Sequence, residues 1–456
     1  MASRVLSVAL LAGGLAVAAT ASAGPIGIEG ARHLLDRAGF GATPAEVSDY
    51  AVLDRHEAVT RLLDGTRRES VLKPPAFVDE PFVPFSRLRM LDPQERQAEQ
   101  RRRVEEAFAL REWWMREMLT TSSPLTERMT LFWHNHFATS QQKVRSATLM
   151  YRQNALLRRE ALGNFATMLH AVARDPAMLI YLDNARSRRQ APNENFAREV
   201  MELFTLGEGH YTERDIKEAA RAFTGWSLDP ETGTFLARPA WHDAGAKTVL
   251  GKTGNLDGDD VLDTLLARDE TAEFIAGKLW REFVSPTPDP VEVKRLAKVF
   301  RDAHYEVKPL LAALFESDAF WSQANRASLI KSPVDLVVGT LRTFGIHPMD
   351  LRPAVVATAA LGQNLFTPPN VKGWPGGERW INTATLLGRK QFVERVAAND
   401  DRMEAPMANA AMQDGAPGEN RAQRILQRGL ANYRIDARAW GSIEPHLLDA
   451  VVLAAA

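Results

Sequence analysis

The sequence predicts a mainly α protein, a single large multi-helix domain with long irregular loops and little or no β structure. Three observations point there: helix-opening signals recur along the chain, sustained strand-period alternation does not appear, and 456 residues contain no cysteine. An apolar core rather than disulfides must therefore hold the fold. Composition sets further limits. At 45% hydrophobic and 25% charged residues the chain is globular rather than disordered. With 56 Lys+Arg against 57 Asp+Glu, it has no global field to hold nucleic acid.

The elements follow in order. Arg4, the apolar run Val5 to Ala19 and Ala21-Ser22-Ala23 read as a secretory signal peptide over residues 1–23, with maturation at Gly24. That run is shorter than the ~20 residues of a spanning helix. A periplasmic or extracellular protein with no membrane span in its mature form is expected. Asp92-Pro93-Gln94-Glu95 opens a helix running to about Leu119, whose polar first half, Gln94 to Arg103, should project into solvent. Further helices open at Ser123-Pro124, Asp175-Pro176, Asn193, Thr212-x-x-Asp215 and Ser332-Pro333-x-Asp335, the last ended by Gly345. The one extended piece expected lies near Thr248 to Leu250. Irregular stretches cover Leu72 to Pro84, Ser227 to Asp260 and Gln363 to Arg379. The last two are rich in glycine yet carry tryptophan, as packed or binding loops do. The helical domain should span 24–399, followed by a variable C-terminal extension, 400–456, with a terminal helical segment.

Chemistry concentrates in a few segments. Phe132-Trp-His-Asn-His-Phe137 sets two histidines in an aromatic helix apolar on nearly every side. His134 and His136 lie about 200° apart on such a helix and cannot share a metal unless it ends between them. Each is either a satisfied core histidine or part of a site. Between Asn193 and Gly207, helical projection gathers Glu194, Asn195, Arg198, Glu199, Glu202 and Thr205 on one arc. That arc is either a solvated face or the wall of a polar cleft, with Glu199 as acid, base or cation ligand. His210 sits on the glycine-bounded turn that follows. His242 and Asp243 share a loop with Lys247, and the nearby Gly251-Lys252-Thr253 lacks the spacing of a phosphate loop. There is no nucleotide-binding motif, hydrolase nucleophile elbow or zinc-protease pair. The missing cysteines exclude iron–sulfur clusters and haem c, leaving the cofactor unknown and a divalent metal open. In the last loop, prolines and glycines around Trp374 build one fixed shape. Trp374 should pack on the body while Lys372 or Asn370 faces a cleft bordered by the His134–His136 segment.

Seven ordered segments together resemble the bacterial secreted family called domain of unknown function 1800. They are His33-Leu-Leu-Asp-Arg-Ala-Gly-Phe-Gly-Ala-Thr-Pro44, Phe132 to Phe137, Asn193-Glu-Asn-Phe-Ala-Arg-Glu199, Ala222-Phe-Thr-Gly-Trp226, His242-Asp243 with Lys247-Thr248, Lys331-Ser-Pro333 and Pro368-Pro-Asn-Val-Lys-Gly-Trp-Pro-Gly377. The resemblance covers about 31–396 and implies an exported, mostly helical protein, often encoded beside a sulfatase- or phosphatase-like companion protein. It transfers no catalytic residue. Two functions follow as expectations. One is a binding or accessory protein for that companion or for an extracellular glycan or polymer, gripping through Trp374 and Trp380. The other is an envelope hydrolase or group-transfer enzyme drawing on His134, His136, Asn195, Glu199, His210 and His242. Convergence of these groups on an enclosed pocket favours the enzyme, whereas scattered histidines beside an exposed aromatic groove favour the binder.

Overall fold

Helix caps written into the sequence fix where most elements begin. Asp92 accepts the amides of Gln94 and Glu95 while Glu95 returns a bond to the Asp92 amide, opening the helix Pro93–Thr120. Thr212 and Ser332 open Glu213–Ala222 and Pro333–Thr343 by the same reciprocal box. Asp175 and Asn193 cap Pro176–Tyr181 and Glu194–Glu202. Each cap contributes about 1 kcal/mol. The structure, a computed structural model, describes residues 24–397 together with Gly429, Leu430 and Tyr433. The expected leader and most of 400–456 lie outside the described residues.

Helices carry 61% of the described residues and strands 4%, so helix packing positions every side chain considered below. Among the described residues no helix is long and apolar enough to cross a membrane. The polar start of Pro93–Thr120 is solvent-exposed, as its composition requires. Three details depart from expectation. The Ser123 hydroxyl bonds Thr126 instead of capping the helix Pro124–His136. The helix after Asn193 stops at Glu202, because the amides of Leu203 and Phe204 both turn to the Glu199 carbonyl. Beside the expected strand Lys247–Val249, paired with Lys252–Gly254, a second hairpin joins Trp226–Leu228 to Phe235–Ala237. Three-residue strands are too short to show alternation.

Two clusters of buried apolar side chains meet along Pro124–His136. One gathers Met129, Phe132, Trp133 and Phe137 with helices of the middle of the chain, including Asp269–Phe283. The other gathers Leu131 with Trp114, the helix Pro333–Thr343 and the loop around Phe366, Trp374 and Trp380. Leu430 and Tyr433 are buried with the second, and the Tyr433 hydroxyl donates to the Asp350 carbonyl.

A helix buried on all sides must satisfy its charges on all sides. Glu127 takes a bidentate pair from buried Arg158 at 2.5 and 2.8 Å and a bond from the Trp114 indole. The next residue, Arg128, points elsewhere. It pairs with Glu282 of Asp269–Phe283 at 2.8 Å and with Asp335 of Pro333–Thr343, so one guanidinium joins a helix from each cluster. Replacing Arg128 with Met leaves two carboxylates without their counter-charge, and chemical denaturation should show a loss of about 3–5 kcal/mol. A loss below about 1 kcal/mol would mean that the pair does not join the clusters.

Candidate functional site

Between the two clusters lies a cleft of about 560 Å³, within the roughly 300–1,000 Å³ range of small-ligand sites. One wall is a single stripe of the Pro124–His136 helix: Arg128, Leu131, Phe132, Asn135 and His136. The facing wall is Lys278, Arg281 and Glu282, three and four residues apart on Asp269–Phe283 and so on one helix face. Ser332, Asp335 and Gln363 close one side, and the loop from Lys372 to Trp380 closes another.

The loop is clamped onto the aromatic helix. The Trp374 amide donates to the Asn135 side-chain oxygen at 2.6 Å. Gly373 precedes it with φ +82°, and a Cβ there would lie 2.2 Å from that same oxygen. Glycine is required twice over, by conformation and by close approach. The Asn370 side chain accepts the Lys372 amide in a local turn. Trp374 and Trp380 are only 4% and 5% exposed, so they are walls of the cleft rather than an exposed stacking platform. The expectation that Lys372 lines a cleft with the His134–His136 segment is met through Asn135 and His136; Asn370 forms the turn instead.

Electrostatics divide the cleft. Arg128 pairs with both Glu282 and Asp335 at the floor, one guanidinium shared between two carboxylates. Asp335 is fully committed, since its other oxygen accepts the Ser332 amide. Burial raises the Glu282 carboxyl above the usual range, Arg128 offsets part of this, and Asp335 adds to it. Opposite, the Lys278 amine donates to His136 Nδ1 at 2.9 Å and lies over the Phe274 ring. His136 Nε2 meets the Phe204 carbonyl at 3.2 Å. That bond places the imidazole proton on Nε2 and leaves Nδ1 as the acceptor. Burial, then Lys278, holds His136 neutral, well below its ordinary value. Burial, then Arg281, pushes the Lys278 ammonium down to about 8. Arg281 spends one nitrogen on the Gly277 carbonyl. Among the described residues no carboxylate forms an ion pair with Lys278 or Arg281, so this end of the cleft carries uncompensated positive charge.

The other expected site residues lie elsewhere. His134 is buried on the far side of its helix, stacked 5.2 Å from Trp114, and neither ring nitrogen finds a partner among the described residues. Burial pushes it down to about 4. Asn195 is exposed in the first helical turn, where a polar residue costs little. Glu199 is half-buried and raised by burial and by Glu202, with Lys372 opposing. The sequence suggests a His or Arg partner from another segment for Glu199, but among the described residues it makes no ion pair: Lys372 pairs with Glu208 at 3.3 Å and Arg198 with Glu213 at 2.8 Å. His210 is exposed, 4.0 Å from Glu270. His242 and Asp243 hold a loop: His242 meets the Thr224 carbonyl at 3.0 Å, and Asp243 pairs with Arg221. The His33 to Pro44 motif is structural as well, with Gly41 pressed against Thr343 and Gly339.

Of the segments singled out in the sequence, three therefore reach the cleft: Phe132 to Phe137, Lys331 to Pro333, and the tryptophan loop. Sequence reasoning missed Lys278, Arg281 and Glu282, which sit on an ordinary amphipathic helix, and Arg128, whose one signal was its place with Glu127 in a helix apolar on nearly every side. Among the described residues no three His, Asp or Glu side chains gather as a metal site would need. Gly373→Ala should destabilise by more than about 1 kcal/mol, and by clearly less when Asn135 is already alanine. Equal losses in both backgrounds, measured by a double-mutant cycle, would refute the clamp.

No curated protein and no solved structure matches the chain. One family model does, over residues 33–448, nearly the whole sequence and past the end of the last helix described. The motifs that meet at the cleft thus sit within a family-wide frame, and the chain belongs to the family described as "Protein of unknown function (DUF1800)".

Proposed function

We propose that the chain is an exported binding protein whose cleft takes an anionic group of an extracellular polymer, such as an acidic glycan. The observation that carries this is the pair Lys278 and Arg281, which form no ion pair among the described residues, lining a cleft whose carboxylates Glu282 and Asp335 are both engaged by Arg128. A cation that burial desolvates, as Lys278 is, favours an anion far more than the same group does in open water; Arg281 beside it is exposed and adds its charge at the cleft edge. Leu131, Phe132 and the tryptophan walls supply apolar surface for the body of the ligand. The leader read from residues 1–23 supports export. The sulfatase-like companion implied by the family resemblance supports a charged polymer as the shared ligand, with this chain in an accessory role.

Binding of polygalacturonate and alginate oligosaccharides to the mature protein, followed by calorimetry, tests the proposal. Lys278→Met and Arg281→Met should each weaken binding about tenfold, equivalent to ~1.4 kcal/mol, with an unchanged melting temperature. Affinity should fall as pH rises through about 8, where Lys278 loses its charge, and should fall with salt. Equal binding of neutral dextran oligosaccharides would refute the anion site.

A further inference from the structure

The anion-binding cleft carries more than a binding surface. We infer that it catalyses β-elimination on uronate-containing polymers, with the Lys278 amine as base and the Glu282 carboxyl as acid. This rests on the anion-binding reading above and adds a reaction to it.

Removing a proton from the carbon beside a carboxylate needs a fixed cation on the carboxylate, a base with a free lone pair, and an acid for the leaving oxygen. The cleft supplies all three from one helix face. Arg281 is the cation, exposed at the cleft with one nitrogen held by the Gly277 carbonyl and, among the described residues, the others free for a carboxylate. Lys278 is the base. When neutral it still donates one N–H to His136 Nδ1, which aims its lone pair away from that ring; His136 is a positioning residue. Glu282 is the acid. Arg128 contacts its Oε1, and among the described residues Oε2 has no hydrogen-bond partner. Lys278 and Glu282 stand four residues apart, so their Cβ atoms are about 6 Å apart and can flank a sugar ring.

The step balances without water, oxidant or reductant. Lys278 takes the proton from the carbon bearing the carboxylate, and its electron pair forms a carbon–carbon double bond with the neighbouring carbon. The bond from that neighbour to the glycosidic oxygen breaks, and the oxygen takes the Glu282 proton to become a hydroxyl. The products are a shortened chain and an unsaturated uronate. Proton transfer from the Lys278 ammonium to the Glu282 carboxylate, through solvent, restores both groups. Two-carboxylate glycoside hydrolysis fits the cleft less well. It needs a second free carboxylate beside Glu282, whereas Asp335 is committed to Arg128 and the Ser332 amide, and Glu378 lies exposed in the loop. The protonation states also agree: burial brings Lys278 to about 8 and raises Glu282.

The test incubates the mature protein with polygalacturonate and with alginate and follows the ultraviolet absorbance of the conjugated unsaturated carboxylate. Absorbance should grow with time. Turnover should rise with pH through about 8 while affinity falls, a split that a purely structural lysine would not give. At saturating substrate Lys278→Met should lower the rate at least about 100-fold, beyond its tenfold loss of affinity and with an unchanged melting temperature, and Glu282→Gln, assayed well below its own melting temperature, should lower the rate with binding retained. Oligosaccharide that binds without absorbance growth overturns the reaction and leaves the binding protein. Reducing ends without absorbance overturn it in favour of hydrolysis. Failure to bind either polymer overturns both readings, and full activity in Lys278→Met overturns the assigned base.

Discussion

Arg128 is the constraint on which the remaining architecture depends. A guanidinium in a helix shared by both apolar clusters loses its water, a cost of several kcal/mol unless carboxylates replace it. Those carboxylates come from opposite sides, Glu282 from the first cluster and Asp335 from the second. Satisfying one charge thus brings Asp269–Phe283 and the start of Pro333–Thr343 to the same place. The cleft is the space between them above the pair. Both floor carboxylates are engaged by Arg128 as a consequence, and Lys278 and Arg281 on the same helix are left lining the cleft without an ion-pair partner among the described residues.

The loop wall depends on a second, smaller interaction. Asn135 offers its side-chain oxygen to the Trp374 amide, and Gly373 is the residue that lets the two backbones approach. Trp374 is then pinned between the cleft and His134, with their rings 6.0 Å apart. Phe366, held at φ +60°, packs against both Trp114 and His134. A bulky residue rarely adopts that conformation, so the surrounding aromatic packing must offset the strain. Rigidity of this kind suits a site that must present cations at fixed positions.

How much of this was legible in the sequence follows from the range of each interaction. Caps are three-residue events, so Asp92, Thr212 and Ser332 marked helix starts correctly. That Trp374 packs against the body and that Lys372 lines a cleft bordered by the His134–His136 segment were likewise readable, because proline and glycine act locally. Asn135 was visible only as a spacer between two histidines, although it makes the clamp. His134 and His136 proved to serve opposite faces, as helical geometry requires of residues two apart. Lys278, Arg281 and Glu282 could not be found: on their own helix they look like an ordinary solvated face, and only the Arg128 pairing turns that face inward. Exposed Asn195 and His210 show the converse, polar residues in suggestive patterns that the fold sends to solvent.

The central claim is that Lys278 is a desolvated cation facing an anion-binding cleft. Side-chain nitrogen NMR of the mature protein, titrated with and without galacturonate oligosaccharide, measures this directly. The account predicts that Lys278 titrates near 8 in the free chain and moves upward when the oligosaccharide binds, because a nearby carboxylate favours the ammonium form. A Lys278 that titrates near the ordinary lysine value, about 10.4, and does not respond to the ligand would contradict it.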